Sequence, residues 1–229
     1  MYKYTKIEMT SKNKVIVFDT ETTGLPKTNQ KPNKWNTHLF PHIVQFSWFI
    51  FDTNLKKIIK TCDYIIKLPD GIEIPIEATN VHGISEKMSL EQGIDIKVAL
   101  REFTKDLHDS HYLVAHNINF DKKVVSVEYL RNNCIDWMSR HRKIEYCTLA
   151  NSINVCKIEK ISKANRKYFK WPKLMETHEK LFKTIPNNLH NSLIDIYVCF
   201  RCFHMLAFGQ DINKINPRFS REFNQLCGL

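Results

Sequence analysis

No stretch of the 229 residues approaches the ~18 consecutive apolar positions that a bilayer-spanning helix needs, so no membrane partner is expected. The opening residues MYKYTKIEMTSKNK lack the apolar middle of a secretory signal. A disulfide rhythm is missing too. The seven cysteines are odd in number and scattered, which points to a reducing intracellular compartment, cytoplasmic or nuclear alike. Cys199 and Cys202 have CxxC spacing with His204 close by, but no second ligand pair stands at finger spacing. Inside a long apolar helical run they read first as small buried thiols, with zinc the alternative. There is no internal repeat and no low-complexity linker, so the length suits one domain, expected over 1–208, with a tail over 209–229. Acids are the scarcer charge: 24 against 34 lysines and arginines, a net charge of +10. That surplus favours a polyanionic partner, nucleic acid first, with a merely soluble basic surface as the alternative. Oligomeric state leaves no mark in the sequence.

What is present reads as alternating strands and helices. Val15 to Phe18 is a short, continuously apolar run, as in a strand covered on both faces. HIVQFSWFIFD (42–52) and KKIIKTCDYIIKL (56–68), with Asn54 in the turn between them, predict two more strands in an antiparallel meander. Pro69-Asp70-Gly71 closes that unit. An amphipathic helix is expected from Ile94 to Leu107, a strand over 112–115, a helix from Phe120 to Leu130 and a last strand over 144–146. Helices follow over 147–154, 173–183 and 192–208. A short one from Pro217 would carry Phe219, Phe223 and Leu226 on one face, either packed on the body or docking a partner. This order predicts an α/β fold with a mixed sheet flanked by helices. KIEKISKANRKYFKWPK (157–173) stands apart, with seven basic residues, one acid, and Tyr168, Phe169 and Trp171 interleaved. Charge for phosphates and rings for bases suit a single-stranded nucleic acid, with Lys163, Arg166, Lys167 and Lys170 as contacts. The alternative is a solvated connector anchored by its aromatics.

Three motifs carry chemistry. FDTETTG (18–24) puts Asp19 and Glu21 straight after the first apolar run, pointing to one side of an extended strand. Like charges so placed repel unless a cation binds between them, and hard carboxylate oxygens suit Mg²⁺ or Mn²⁺. AHNINFD (115–121) follows a second short strand and brings Asp121 to a helix start. HNSLID (190–195) places Asp195 in a helix. Five helical positions leave His190 about 140° away from Asp195, so His190 belongs on the loop before that helix, with Asn191 or Ser192 as its cap.

FDTETTG, AHNINFD and H-x4-D, in that order, resemble the three motifs of the DEDDh (DnaQ-like) 3′–5′ exonucleases. The likeness runs over roughly 14–205 and takes in ATNVHGIS (78–85) and HEKLF (178–182). It implies a ribonuclease H-like fold with a central mixed five-stranded sheet. It also implies that Asp19, Glu21, Asp121 and Asp195 hold two divalent cations, Mg²⁺ or Mn²⁺, and that His190 is the general base. Thr22, Thr23, Gly24 and Leu25 fall where the family grips the terminal nucleotide, and Glu21 is also placed to receive the terminal 3′-OH. His116 and Asn117 either contact substrate or fix their loop. Phe120 packs beneath the terminal nucleotide or in the core. His82 is a rival base on paper, with structural hydrogen bonding the stronger reading. Ile118 stands where the family commonly has a small residue, and the basic 157–173 stretch is longer than in minimal relatives.

The expected activity is metal-dependent release of nucleoside 5′-monophosphates from single-stranded 3′ ends, DNA ahead of RNA, with 3′ ends of duplex DNA also in range. The alternatives are an RNA-trimming enzyme, a non-catalytic nucleic-acid-binding module, and a proofreading subunit acting in trans. The chain carries no polymerase signature, so a polymerase or other replication or repair partner would be a separate protein, with 209–229 as a candidate handle.

Overall fold

The computed structural model describes residues 14–228; residues 1–13, most of the opening stretch read above for its missing apolar segment, and residue 229 lie outside the described residues. The apolar run 15–18 lies in the first half of β1 (Lys14–Thr22), the central strand of a five-stranded sheet. β2 (Ile43–Asp52) and β3 (Lys57–Ile65) continue from it antiparallel, as the meander predicted. β4 (Tyr112–Ala115) and β5 (Ile144–Cys147) lie on its other side, both parallel, giving the order β3-β2-β1-β4-β5.

Because β1 is buried on both faces, its alternation sorts two cores. Ile16 and Phe18 pack with Phe46 and Trp48 against α3 (Ile96–Asp109) and α4 (Ile118–Arg131). Val15 and Val17 pack with Phe49 and Phe51 against α7 (Ser192–Phe208). That second layer also holds α5 (Thr148–Cys156), α6 (Leu174–Phe182), the short α8 (Ile212–Ile215) and α9 (Pro217–Cys227). The tail therefore joins the core: Phe219, Phe223 and Cys227 are buried on it, and Phe219 stacks on Tyr197. Leu226 only half-faces it, because Cys227 takes the innermost position.

Several boundaries move for local reasons. Past Ile65 the chain pairs with Ile94 instead of extending β3: the Ile94 N–H donates to the Ile65 carbonyl and the Lys67 N–H to the Ile94 carbonyl, both at 2.9 Å. Asp95 then caps α3 by accepting the Lys97 N–H, so that helix opens at 96. Two helices not anticipated, α1 (Ile76–His82) and α2 (Glu86–Gln92), are seven residues each and divided by Gly83 in the left-handed conformation. The basic stretch is not a plain connector: β6 (Glu159–Ile161) and β7 (Lys167–Phe169) make a solvent-exposed hairpin between α5 and α6. Among the described residues no helix is long and apolar enough to cross a membrane.

Candidate active site

Side-chain alternation along β1 decides where its acids look. Asp19 and Glu21 share the parity of Val15 and Val17, so they face α7. There they meet Asp195 in the first turn of that helix. One carboxylate oxygen from each of the three lies within 4.8 Å of the others, the one such ligand group among the described residues. Thr20, of the opposite parity, turns toward α4, and its backbone N–H and hydroxyl donate to Asp121 Oδ1 at 3.2 and 2.8 Å. Asp121 is thus the flanking acid, 2% exposed and held by β1 itself. It still raises the pKa of Asp19, as Asp195 and Glu21 do.

The cluster is electrostatically uncomfortable as it stands. Burial, and then the other acids, push the Asp19 carboxyl well above the ordinary carboxylate range. Burial with Asp195 and Asp121 moves Glu21 up to about 8. Burial lifts Asp121 and Asp195 to about 7, in spite of the hydrogen bonds each accepts. Asp195 Oδ2 accepts the His190 N–H at 3.3 Å, while Oδ1 is buried with no hydrogen-bond partner. An orphaned buried oxygen among converging carboxylates fits a hard divalent cation, which would supply the missing positive charge. His190 is exposed on the loop before α7 with φ 70°, and Asn191 caps the helix by accepting the Leu193 N–H.

A buried polar bridge that the sequence reading missed fixes α7 against the sheet. Gln45, paired with Glu21 across β1 and β2, accepts the Ser192 N–H through Oε1 at 3.2 Å. Its Nε2 donates to Asp63 Oδ1 at 2.8 Å and to Asn191 Oδ1 at 3.4 Å. Ser47, opposite Asp19, bonds to both Asp63 and Ser192. The available signal was two polar residues, Gln45 and Ser47, two apart in an otherwise apolar strand.

The loop after the acids is tied down at its base. Thr22 Oγ1 donates to the Gly24 carbonyl at 2.7 Å, and Gly24 takes φ 146°, which favours glycine. Thr23 exchanges bonds with His42: its N–H donates to the His42 carbonyl at 2.9 Å and its hydroxyl accepts the His42 N–H at 3.0 Å. Leu25 is 79% exposed, free to meet a ligand.

His116 is engaged on both ring nitrogens, Nδ1 with Thr148 Oγ1 at 2.9 Å and Nε2 with the Pro172 carbonyl at 3.2 Å. A carbonyl can only accept, so Nε2 carries the proton and His116 fixes its loop to the base of the β6–β7 hairpin. Burial draws its pKa down to about 4. Asn117 adopts the left-handed conformation that starts α4 and makes no side-chain cap bond. Phe120 leans on the α3–α4 core and Ile118 is buried in it. His82 uses Nδ1 to accept the Ile84 N–H at 3.0 Å, a structural bond.

In the basic stretch, Lys170 pairs with Glu176 and Lys167 with Glu159, whereas Lys163 and Arg166 make no ion pair among the described residues. Cys199 and Cys202 are buried in α7 with thiols pushed up by burial, and His204 Nδ1 bonds to the Gln210 carbonyl instead of turning toward them.

Comparison with known proteins gives a consistent result. The RNase_T family, described as "Exonuclease", matches residues 16–203. The DNA polymerase III subunit epsilon of Buchnera aphidicola is 24% identical over 208 residues, covering 88% of this chain and 76% of that one. E. coli exonuclease I in complex with a dA16 oligonucleotide shares the fold at TM-score 0.60 and 16% identity, over 93% of this chain. The zinc-bound form of the same enzyme with single-stranded DNA gives 0.61 and 16%, again over 93%. The chain spans 43% of the length of each of those two solved chains.

Proposed function

Since the chain belongs to the RNase_T exonuclease family, with the DEDDh, DnaQ-like motifs of 3′–5′ exonucleases on a ribonuclease H-like fold, we propose that it trims single-stranded DNA from the 3′ end to nucleoside 5′-monophosphates. The observation that carries this reading is the meeting of Asp19, Glu21 and Asp195 around a buried, unpartnered Asp195 oxygen.

In this reading Asp19, Glu21 and Asp195, with Asp121 beside them, hold two divalent cations. Bound there, such ions lower the pKa of water and stabilise charge on attacking and leaving oxygens. His190, held over Asp195 by its own backbone N–H, takes the proton of the attacking water on an imidazole nitrogen. Water oxygen bonds to phosphorus, the P–O3′ bond breaks with its electron pair going to O3′, and O3′ takes a proton from solvent water, so the shortened strand leaves with a 3′-OH. Thr22 to Leu25 grip the terminal nucleotide, the Gly24 backbone lying close and Leu25 presenting its exposed side chain. Lys163 and Arg166, with Tyr168 exposed on the same hairpin and Trp171 exposed just after it, contact the strand further back, while Lys167 and Lys170 are already paired. DNA is favoured over RNA because the exonuclease I structures hold deoxyoligonucleotides or single-stranded DNA. The Buchnera relative is by name a polymerase subunit, and a polymerase partner is a corollary of this proposal. Such a partner would meet only the outer side of α9, whose inner side is in the core.

The test is purified protein on 5′-labelled single-stranded DNA, duplex DNA and RNA with Mg²⁺, Mn²⁺ or EDTA. A metal-dependent ladder shortening from the 3′ end, fastest on single-stranded DNA, is expected. No shortening of any substrate with metal would sink the enzymatic reading, and faster trimming of RNA would reassign the substrate.

A further inference from the structure

The loop between β1 and β2 is built in a way the terminal-nucleotide grip does not require. From Thr22 to Phe51 the chain contains no acid, and Lys27, Lys31 and Lys34 all lie on the exposed part of this loop. Among the described residues none of the three makes an ion pair. Trp35 sits among them 85% exposed, with no ring contact to another aromatic among the described residues. A single exposed apolar side chain needs no explanation, but this indole is presented by a braced backbone. The Lys27 N–H donates to the Leu39 carbonyl at 2.8 Å, closing the loop. Buried Asn36 accepts the Asn33 N–H at 2.8 Å and donates to the Lys31 carbonyl at 3.1 Å. Arg131 donates to the carbonyls of Thr37, Phe40 and Pro41 at 2.7–2.9 Å. From α4, two residues after Asp121, Lys123 reaches the Asn29 carbonyl at 3.3 Å, so the loop stands beside the acid cluster.

We propose that the Lys27–Trp35 loop is a second single-strand contact, on which Trp35 stacks with a base upstream of the terminal nucleotide while the three lysines neutralise the neighbouring phosphates. This rests on the exonuclease reading for its choice of ligand. A protein partner would not need three unpaired cations in a segment that carries no acid of its own, whereas a polyanion with flat bases uses both the charges and the ring.

The test is binding of a labelled oligothymidylate of about ten nucleotides, inside the ~4–16-nucleotide range of single-strand sites, followed by anisotropy without metal. This readout does not depend on hydrolysis, so a failure of the exonuclease reading would show in the trimming assay and not here. Trp35→Ala is expected to weaken binding by at least about fivefold, the low end of base–aromatic stacking. The loss should grow with oligonucleotide length. Lys27→Ala/Lys31→Ala/Lys34→Ala together should flatten the log–log salt slope by about 2. Leu55→Ala, exposed in the β2–β3 turn, is the control, and thermal melting checks that all variants are folded. Wild-type affinity in Trp35→Ala, or an unchanged salt slope in the lysine variant, overturns the proposal.

Discussion

At Asp195 one carboxylate oxygen accepts a backbone N–H while the other is buried alone, and burial already opposes its charge. Asp195→Asn keeps the shape and removes the charge. If the acids hold catalytic metal, hydrolysis should fall by more than the ~10–100-fold that removal of a metal site's outer partners costs. The same change relieves repulsion among Asp19, Glu21 and Asp121, so the metal-free variant should melt higher than wild type at pH 8. A loss of activity with no rise in that melting temperature would leave the electrostatic account of the cluster wrong. His190 is different in kind, because it is exposed and its side chain makes no hydrogen bond or ion pair among the described residues. His190→Ala should slow trimming by about 10²–10⁴, the usual contribution of a positioned base, with oligonucleotide affinity unchanged. A matched loss of affinity would make His190 a substrate ligand instead.

Elements bring these residues together, and α7 shows how. Its first turn is held by Asn191 as cap and by Gln45 and Ser47 from β2, so the distance from Asp195 to the β1 acids is set by a buried amide. Gln45→Ala should therefore lower kcat by about 10–100-fold, as for other outer-shell partners, with KM little changed. Gln45→Glu should be worse than Gln45→Ala, since a carboxylate would lose the donor bonds and face Asp63. Steady-state kinetics read this directly, and equal changes in kcat and KM would argue against a positioning role. The bridge also marks what was legible in the chain. The acids were readable because each rides at the end of an apolar strand or in the first turn of a helix, where a carboxylate is conspicuous. Gln45 was not, because its partners lie 146 and 147 residues away and only tertiary packing joins them. His116 was open between two roles until Pro172 and Thr148 were seen on its two nitrogens. In the 157–173 stretch the charge was visible, but the claims of Glu159 and Glu176 on Lys167 and Lys170 depend on the hairpin and on α6. Helices α1 and α2 escaped because two seven-residue helices show too few turns for a clear period.

For the molecule as a whole, two sets of buried groups pull stability in opposite directions with pH. Burial brings His42, His116 and His178 down to about 4, so the fold holds them neutral while an unfolded chain takes up protons below its ordinary histidine pKa of ~6.5. Their contribution strengthens as pH rises toward that value and is then constant. The site acids act the other way. Glu21 at about 8, and Asp121 and Asp195 at about 7, hold protons that the unfolded carboxyls have already lost. In that range the native state binds more protons than the unfolded one, and stability falls as pH rises through the folded values. Above pH ~6.5 the acids are the first groups to act. Toward pH ~8.5 the buried thiols of Cys199, Cys202 and Cys227, pushed up by burial, add to the decline in the same direction. Metal-free protein should therefore melt at progressively lower temperature from pH ~6.5 to about 8.5, the fall below pH ~7.5 being the acids' own. A divalent cation that binds the ionised cluster stabilises the native state by mass action and should flatten or reverse this decline. Thermal melting across that range, in EDTA and in excess Mg²⁺ or Mn²⁺, reads both effects. The increment from metal should grow with pH because the ligand oxygens must lose their protons to bind. An EDTA profile that stays level above pH 6.5 would mean that the four acids are already ionised without metal, and would overturn the electrostatic account of the cluster.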